Sequence, residues 1–360
     1  MRILHFDLAR IFRGGQRQAL LLHKNLLKQH TDSFLVTDSK GLLYQYCKEL
    51  EVKNVYGLEL PTLKPEFFSR LLAYPKIKNL VKKIRPDILH FHEPASMLYG
   101  IHLNHFLTFE TRRVSFPIKP SSISLKYSKI HVHTAVSQSI CDYLRSCGLE
   151  RVHLIRSSID LSRFQKVQGP EVLQDKKKVN LLYAGSFTEM KGIDILFEAL
   201  PMVLRKESNL MLHMVGDGVL LQGFRNLSEE RSLHDHIRFY PRTDEPAPYL
   251  FESDIVIVPS VWGEGSNGVI KEAMACGKIV IASDLVNNAE LIEHGKDGLL
   301  FKNKNSRDLA DKVLEVIDGK YTISADSLKK KALGFSAEKM TGEYLQLYRD
   351  YLQSFKYPKS

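Results

Sequence analysis

Short apolar segments alternate with longer amphipathic segments along the whole chain. The apolar segments are continuous, which predicts strands that are covered on both faces, as in parallel sheets. The first half contains predicted strands at 1–6, 33–37, 87–91, 129–136 and 152–155 and predicted helices at 16–29 and 75–85. The second half contains predicted strands at 179–183, 210–215, 237–239, 255–259 and 279–282 and predicted helices at 192–207, 246–252 and 268–276. This alternation predicts an α/β class with two Rossmann-like domains.

The apolar pattern is interrupted once, at residues 165–178, by a polar segment that contains Gly and Pro. A chain of 360 residues is longer than one core usually supports, so two domains are expected. We place an N-terminal domain at 1–167 and a C-terminal domain at 168–337. The segment 338–360 is predicted to be a helix whose apolar stripe needs a surface to cover.

The composition, with 44% hydrophobic and 26% charged residues, is that of a globular protein. Its four cysteines show no Cys-x-x-Cys spacing, which favours reduced thiols in a cytoplasm over a disulfide framework. Asp7 and Arg10 interrupt the first apolar segment, so no signal peptide is expected. No run of about 18 apolar residues exists, so no membrane span is expected.

The charge is concentrated in the first half of the chain. Residues 1–170 contain 26 basic and 13 acidic residues, whereas residues 171–360 contain 25 basic and 28 acidic residues. This asymmetry predicts an anionic partner for the first half, such as a phosphorylated lipid, an acidic glycan, membrane headgroups or nucleic acid. A basic face that only contacts solvent is the alternative.

The most specific segment spans residues 259–284. A predicted strand ends there, and a loop with Glu264 leads through Ser266, Asn267 and Gly268 into a helix with Glu272. The first amides of a helix lack partners and lie at the positive end of its dipole, which favours a bound phosphate. Two carboxylates eight positions apart can address different hydroxyls of one ligand.

This segment resembles the E-x7-E signature of the retaining glycosyltransferases of family 4. Members of that family have the GT-B fold, in which two Rossmann-like domains with parallel sheets face each other and a C-terminal helix crosses back to the N-terminal domain. The resemblance implies that Glu272 binds the ribose of a nucleotide-sugar donor and that Glu264 holds the transferred sugar. It also implies that Ser266, Asn267 and Gly268 offer amides to the sugar and the diphosphate.

Residues 180–192 resemble the donor-phosphate element of the same family. Gly185 and Ser186 form its turn, and Lys191 is the expected catalytic contact to the phosphate. A cation at that position neutralises the charge that develops on the departing diphosphate. The family usually has Arg where this chain has Ser186. Arg242 lies in a loop that resembles the one beneath the nucleotide base.

Arg13, Gly14, Gly15 and Arg17 follow the first strand and resemble the Gly-Gly loop of the family. Glycines let the backbone approach a ligand closely, and the arginines can fork onto phosphate or carboxylate. We assign Gly15 to the donor and the other three to the acceptor. An ordinary turn between strand and helix is the alternative.

His92 ends the segment His90-Phe91-His92, which the resemblance places on the acceptor side. Period-two spacing puts both imidazoles on one face of the strand. Two further His-x-His pairs occur, at residues 131–133 and 234–236. None of the three pairs has third and fourth ligands at recognisable zinc spacing, so no metal is expected.

Glu110 stands where many relatives have the His of a Thr-x-His motif. Its carboxylate either acts chemically, by stabilising an oxocarbenium-like transition state or accepting a proton, or only pairs with an arginine. The following segment, with Arg112, Arg113 and Lys119, is predicted to bind an anionic acceptor. A solvated surface is the alternative.

The resemblance implies transfer of a hexose-type sugar from a nucleotide-diphosphate donor, most simply a UDP- or GDP-sugar, without a cofactor. The expected acceptor is a cell-envelope glycan or a lipid-linked sugar, as in lipopolysaccharide biosynthesis. Two alternatives stay open: a GT-B module that only binds a nucleotide sugar, and another GT-B enzyme such as a nucleotide-sugar epimerase. Nucleic acid is not expected as a partner, since the chain lacks aromatic platforms and known motifs for it.

Overall fold

The computed structural model describes residues 1–61, 66–164, 173 and 177–355, the side chains of 66–70 excepted. The predicted interruption at 165–178 therefore lies almost entirely outside the described residues. The chain forms two compact units, Met1–Ser158 with Ala337–Ser360, and Ile159–Ser336. The N-terminal unit thus ends nearer the chain start than the boundary after residue 167 that the sequence suggested.

The N-terminal unit contains a seven-stranded parallel sheet in the order β3-β2-β1-β4-β5-β6-β7. Its strands are β1 (Arg2–Asp7), β2 (Asp32–Asp38), β3 (Val55–Leu58), β4 (Ile88–Phe91), β5 (Leu107–Arg112), β6 (Val132–Ala135) and β7 (Val152–Leu154). Its helices are α1 (Gly14–Lys28), α2 (Leu42–Glu49), α3 (Glu66–Ile84), α4 (Met97–His102), α5 (Pro120–Leu125), α6 (Gln138–Ser146) and, from the end of the chain, α14 (Ala337–Ser354).

The C-terminal unit contains a six-stranded parallel sheet in the order β10-β9-β8-β11-β12-β13. Its strands are β8 (Val179–Ala184), β9 (Leu210–Val215), β10 (Ile237–Tyr240), β11 (Ile255–Val258), β12 (Ile279–Ser283) and β13 (Leu299–Phe301). Its helices are α7 (Ile193–Leu204), α8 (Leu221–Glu230), α9 (Ala247–Glu252), α10 (Gly268–Ala275), α11 (Val286–Ala289), α12 (Ser306–Ile317) and α13 (Ala325–Leu333).

Both sheets are covered on their two faces, as the continuous apolar strands predict. In the C-terminal unit one core cluster contains Leu212 and the other contains Val256, both on central strands. Apolar side chains that leave water on both faces of a sheet supply the main driving force for this architecture. The predicted α/β class with parallel sheets is confirmed.

Helix α3 begins earlier than the sequence pattern suggests. The pattern placed a helix start at Pro75, but the helix runs through this proline. A proline inside a helix removes one hydrogen bond and usually bends or ends it. Here Ala73, Ile77 and Val81 are buried on one face of α3, and their burial favours helix on both sides of the proline.

The C-terminal helix α14 packs on the N-terminal unit, as the sequence predicted. Its Tyr344 and Tyr348 are fully buried in a cluster with Ile3 and Leu22, which belong to β1 and α1. The apolar stripe of the tail therefore has the surface that it requires. Among the described residues, no helix combines the length and the apolar character needed to cross a bilayer.

Candidate functional site

The C-terminal unit has a topological switch point between β8 and β11. From β8 the chain continues to β9 and β10 on one side, and from β11 to β12 and β13 on the other. Ligands of open parallel sheets bind outside the carboxyl ends of the two strands that flank such a point. Residues 185–192 follow β8 and residues 259–267 follow β11, so both predicted donor segments start there.

Lys191 and Glu264 are in direct contact at this switch point. The Lys191 Nζ lies 2.5 Å from the Glu264 Oε1, and the Ser260 hydroxyl donates a hydrogen bond to the same oxygen at 2.7 Å. The two charged side chains are only 22% and 11% exposed. An ammonium group has three donors, so Lys191 retains the capacity to bind a ligand anion beside this carboxylate.

The backbone before α7 is fixed by a glycine. Gly192 has a φ of +61°, in the left-handed region, and a Cβ there would clash with the Pro259 carbonyl oxygen. The Val261 N–H also donates to the Met190 carbonyl at 2.9 Å. These contacts hold the Lys191 backbone against the loop that carries Glu264.

The start of α10 presents the amides that the sequence predicted. Asn267 caps the helix through its side-chain oxygen, which accepts from the N–H two residues later at 3.1 Å. Lys271 is fully buried and donates to the Ser266 hydroxyl at 2.6 Å. Gly268 is exposed and Glu272 is half-buried on the same helix. An anion at this end is favoured by the free first-turn amides and the helix dipole.

The remaining donor-side residues lie on two different strands. Gly185 and Ser186 follow β8, where the Tyr183 hydroxyl donates to the Ser186 carbonyl at 2.8 Å and fixes the turn. Burial raises the pKa of Tyr183 far above its usual value, so this hydroxyl keeps its proton. Arg242 follows the edge strand β10 and lies exposed, 3.9 Å from Asp217. The fold separates β10 from β8 by β9, so the structure does not bring Arg242 to the same strand end.

The N-terminal unit has its own switch point, between β1 and β4. Gly14 and Gly15 begin the helix that follows β1, and His92 follows β4. Asp7 ends β1, fully buried, and accepts from the Gln16 side chain at 3.3 Å. Burial first, and then the nearby Glu93, raise the pKa of Asp7 to about 7. Strongly perturbed carboxyls cluster at functional sites, and the sequence analysis did not single this one out.

A directed chain of hydrogen bonds runs beneath this switch point. Arg113 Nη2 lies 2.9 Å from His92 Nδ1. Because a guanidinium only donates, His92 Nδ1 must accept, and its Nε2 therefore carries the proton. That Nε2 lies 2.9 Å from His5 Nδ1, so the His5 proton is on Nε2, which has no partner among the described residues. Burial lowers the pKa of both imidazoles well below the usual value, which keeps them neutral.

Three buried histidines, His5, His90 and His92, place ring nitrogens within 4.8 Å of one another. The sequence analysis did not find His5 as a third member because it lies on another strand. A metal needs a lone pair from each imidazole, and the chain from Arg113 uses those of His92 and His5. The His90 nitrogens contact Tyr348 at 2.6 Å and Thr111 at 2.7 Å. The hydrogen bonds therefore do not favour a metal, and its absence stays a prediction.

Glu110 lies in β5, whereas Arg113 directly follows the end of this strand. Glu110 is 3% exposed, and its Oε1 lies 3.0 Å from His133 Nδ1. This is the pairing alternative of the sequence analysis, with a histidine in place of the expected arginine. Arg113 lies beside His92, and its Cδ is 3.7 Å from the position of a Cβ on Gly15. Arg113 therefore reaches the switch point, and we do not assign Glu110 to the chemistry.

The other predicted acceptor residues have separate surroundings. Arg112 is buried and donates to the Tyr127 hydroxyl at 3.0 Å, so it supports the loop that follows. Arg13 is exposed just before α1, and the Arg17 guanidinium lies on the Phe12 ring. Lys119 is exposed at the start of α5.

Three supporting residues at the donor switch point escaped the sequence analysis. Besides Ser260 and Lys271, Asn287 donates to the Gly265 carbonyl at 2.9 Å and is buried. Ser260 and Asn287 are marked in the sequence only as polar residues beside apolar segments. Lys271 is marked only as a charged residue on an otherwise apolar helix face. That signal does not say which group such a residue contacts.

Two open parallel sheets, each with polar side chains at its switch point, define a two-unit α/β ligand-binding architecture. Family models match nearly the whole chain: "Glycosyltransferase Family 4" matches residues 12–163, and "Glycosyl transferases group 1" matches residues 165–334. The chain therefore belongs to the group 1 glycosyltransferases of family 4. It is a glycosyltransferase.

An uncharacterized glycosyltransferase of Methanocaldococcus jannaschii is 29% identical over 83% of this chain and 84% of its own length. The UDP-Gal:alpha-D-GlcNAc-diphosphoundecaprenol alpha-1,3-galactosyltransferase of Escherichia coli is 23% identical over 97% of each chain. The crystal structure of Anabaena HepE in complex with UDP matches with a TM-score of 0.82 and 15% identity, over 97% of this chain and 100% of that one. This likeness confirms the predicted GT-B fold.

Proposed function

We propose that this glycosyltransferase is retaining and metal-independent, and that it moves a hexose-type sugar from a UDP- or GDP-sugar to a cell-envelope glycan or a lipid-linked acceptor. The observation that carries the proposal is the contact between Lys191 and Glu264 at the switch point of the unit that the group 1 model matches. A cation and a carboxylate at one strand end suit a ligand that has a diphosphate next to a polyol.

In the proposed reaction Lys191 and the first amides of α10 bind the diphosphate and stabilise its charge as the glycosidic bond breaks. Glu264, held by Ser260, binds hydroxyls of the transferred sugar. Glu272 binds the ribose. The acceptor hydroxyl attacks from the face that the diphosphate leaves and passes its proton to a diphosphate oxygen. The charge of the departing diphosphate is then stabilised by Lys191 and the amides, and no cofactor is required.

The names of related proteins support a nucleotide-sugar donor and a lipid-linked acceptor. HepE was crystallised with UDP, and the Escherichia coli relative uses UDP-Gal and a diphosphoundecaprenol acceptor. Another relative, from Staphylococcus aureus, is a poly(ribitol-phosphate) alpha-N-acetylglucosaminyltransferase. The names of HepE and the Escherichia coli relative favour UDP over GDP, and those of the Escherichia coli and Staphylococcus aureus relatives favour an acceptor that contains phosphate.

A panel of UDP, GDP, ADP and CMP in a thermal-shift experiment tests the donor site. A ligand at about 100 times its Kd stabilises the folded protein by roughly 2.7 kcal/mol, which corresponds to a shift of several degrees. We expect one diphosphate to raise the Tm of the wild type, and Glu272→Ala to abolish that shift. Glu293→Ala, in an exposed ion pair with Lys296, is the matched control and should keep it. The proposed site would be contradicted if no nucleotide raised the Tm of the wild type, or if Glu272→Ala showed the same Tm shift as the wild type.

The basic N-terminal unit has a surface suited to an anionic membrane at the cytoplasmic side. Residues 111–141 contain no acidic residue. In this segment Phe116 and Leu125 are 38% and 63% exposed, and Lys119 and Lys129 are exposed beside them. Apolar side chains next to lysines are the combination that binds anionic lipid surfaces. We propose peripheral attachment through this segment.

Cosedimentation with vesicles tests this attachment. We expect binding to vesicles of phosphatidylglycerol and phosphatidylcholine that salt weakens, and little binding to phosphatidylcholine alone. Each lysine near such a surface contributes about 1 kcal/mol, so replacing Lys119, Lys126 and Lys129 with Gln should weaken binding by roughly a hundredfold. Val219→Ser, at an exposed apolar position of the other unit, should leave it unchanged. Equal binding to both vesicle types would refute the attachment.

A further inference from the structure

Arg113 is a cation without a carboxylate partner at the switch point of the N-terminal unit. Its guanidinium donates to His92 alone, to the carbonyl at 3.3 Å and to Nδ1 at 2.9 Å. Within the described part of the chain it forms no ion pair. Two other arginines of this unit do form ion pairs, Arg10 with Asp38 at 2.7 Å and Arg145 with Asp142 at 3.2 Å. The charge of Arg113 is therefore held in place and left uncompensated.

The neutral state of its neighbours is what leaves this charge uncompensated. Burial keeps the imidazoles of His92 and His5 neutral, and the positive charge of Arg113 lowers the pKa of both further. Asp7, a carboxyl whose pKa the charge of Arg113 lowers, still has a pKa of about 7 because of its burial and is half-protonated at neutral pH. The surroundings of Arg113 thus hold a guanidinium through neutral acceptors and supply little negative charge to neutralise it.

The side chain also lies beside the first turn of α1. A Cβ on Gly15 would contact the Arg113 Cδ at 3.7 Å. Helix α1 has fifteen residues and no acidic residue in its first turn. The first-turn amides and the guanidinium both favour negative charge in the same place.

His92 is not free to take this role. Both of its ring nitrogens are engaged, Nδ1 by Arg113 and Nε2 by His5, and the residue is buried. Arg112 is not free either, because its guanidinium is used by the Tyr127 hydroxyl and the Phe116 carbonyl. Of His92, Arg112 and Arg113, the contacts therefore favour Arg113.

We propose that Arg113 binds a phosphate group of a substrate, with His92 and His5 as positioning residues that orient the guanidinium. The inference rests on the proposed function, because it assigns Arg113 to the substrates of that reaction. The phosphate belongs either to the donor diphosphate or to a phosphorylated acceptor, and a guanidinium recognises it through the same hydrogen bonds in both cases. Arg112, adjacent in sequence and equal in charge, supports the fold only.

Binding measurements on Arg113→Gln distinguish the two sources. Calorimetry with UDP, and with uridine as the probe without phosphate, tests the donor. If the donor phosphate is the ligand, the variant lowers the affinity for UDP by about ten- to a hundredfold and leaves the affinity for uridine unchanged. A loss of this size is expected when hydrogen bonds to a charged group are removed. If the acceptor phosphate is the ligand, UDP binding is unchanged, and inorganic phosphate added to the UDP-saturated protein, followed by its ³¹P line width, binds the wild type but not the variant.

Two controls separate a binding role from a structural one. Lys40→Gln removes an exposed charge of the same unit, from the ion pair with Glu59, and should bind both probes like the wild type. Arg113→Lys keeps the charge and should recover part of the lost affinity, which loss of folding would not allow. Arg113→Gln that binds UDP and phosphate like the wild type overturns the inference. If the wild type binds no nucleotide, the proposed donor site fails instead, and the titration with phosphate alone still tests Arg113.

Discussion

Replacing Lys191 with Met is expected to lower turnover by about a hundred- to a thousandfold while the protein stays folded. Loss of one preorganised group that stabilises developing charge typically has an effect of this size. Lys191 is held 2.5 Å from Glu264 at the end of β8, where its ammonium can meet a diphosphate. The readout is release of the nucleoside diphosphate from the donor that the nucleotide panel selects, with and without an added acceptor.

Lys331→Met is the matched control for this experiment. Lys331 also contacts a carboxylate at 2.5 Å, that of Asp297, and is similarly half-buried in the same unit. Its removal should cost stability comparable to that of Lys191 but leave turnover unchanged. Equal losses in both variants would mean that Lys191 acts only through the fold.

Glu264→Gln distinguishes an enzyme from a module that only binds. The amide keeps the shape of the side chain and can still accept from Ser260, so the fold should persist. If Lys191 and Glu264 act as one unit, the double variant should lose little more activity than either single variant. A wild-type protein that binds nucleotide but never releases sugar would favour the binding module.

Several parts of the donor site could be predicted because they lie close together in the sequence. Glu264, Asn267 and Glu272 share one loop and one helix, and a helix start after a strand has a recognisable pattern. The structure adds the contact of Glu264 with Lys191, which lies 73 positions earlier. The resemblance assigned both to the donor, but no local pattern fixes their distance.

The acceptor side was harder to predict because it depends on which face of a strand is covered. Glu110 lies in β5 and Arg113 directly follows the end of this strand, so the two side chains have different surroundings. Sequence alone does not say that Glu110 lies beside His133 or that Arg113 lies beside His92. His5 was missed for the same reason, since a single polar residue in an apolar strand has no local partner.

Three short strands also went unpredicted for a physical reason. β3 and β13 are edge strands of four and three residues, too short for a clear apolar period, and β5 carries polar residues throughout. These segments form strands because they pair with strands that are distant in sequence. Strand preference of this kind depends on cross-strand packing more than on the residues themselves.

Acid is expected to unfold the N-terminal unit steeply below about pH 6.5. Four histidines there, His5, His23, His90 and His92, are buried, and desolvation lowers the pKa of each, that of His23 to about 4. The unfolded chain takes up these four protons near pH 6.5, whereas the folded protein does not. Their contribution is therefore present above pH 6.5 and is lost as the pH falls toward the depressed values.

Asp7 partly offsets this loss of stability, because its carboxyl binds one more proton in the folded than in the unfolded protein. Its pKa, raised to about 7 by burial, keeps the folded carboxyl protonated between pH 7 and 4, where the unfolded one ionises. For the four buried histidines and Asp7 the net difference is three protons, and the lowered pKa values of His131 and His153 act in the same direction, so the free energy of unfolding should fall by at least about 4 kcal/mol for each pH unit below 6.5. Urea titrations at pH 7.5, 6.5 and 5.5, followed by circular dichroism, measure this slope.

His23→Gln should reduce the slope by about one proton, or roughly 1.4 kcal/mol per pH unit, because one buried imidazole no longer differs between the two states. His23 contacts Ser33 and the Lys53 carbonyl and lies outside the chain from Arg113, so the variant leaves that chain intact. The exposed His105 offers the control, since His105→Gln should keep the full slope. A free energy of unfolding that stays constant from pH 7.5 to 5.5 would mean that the histidines are charged in the folded protein, and the hydrogen-bond directions from Arg113 to His5 would then be wrong.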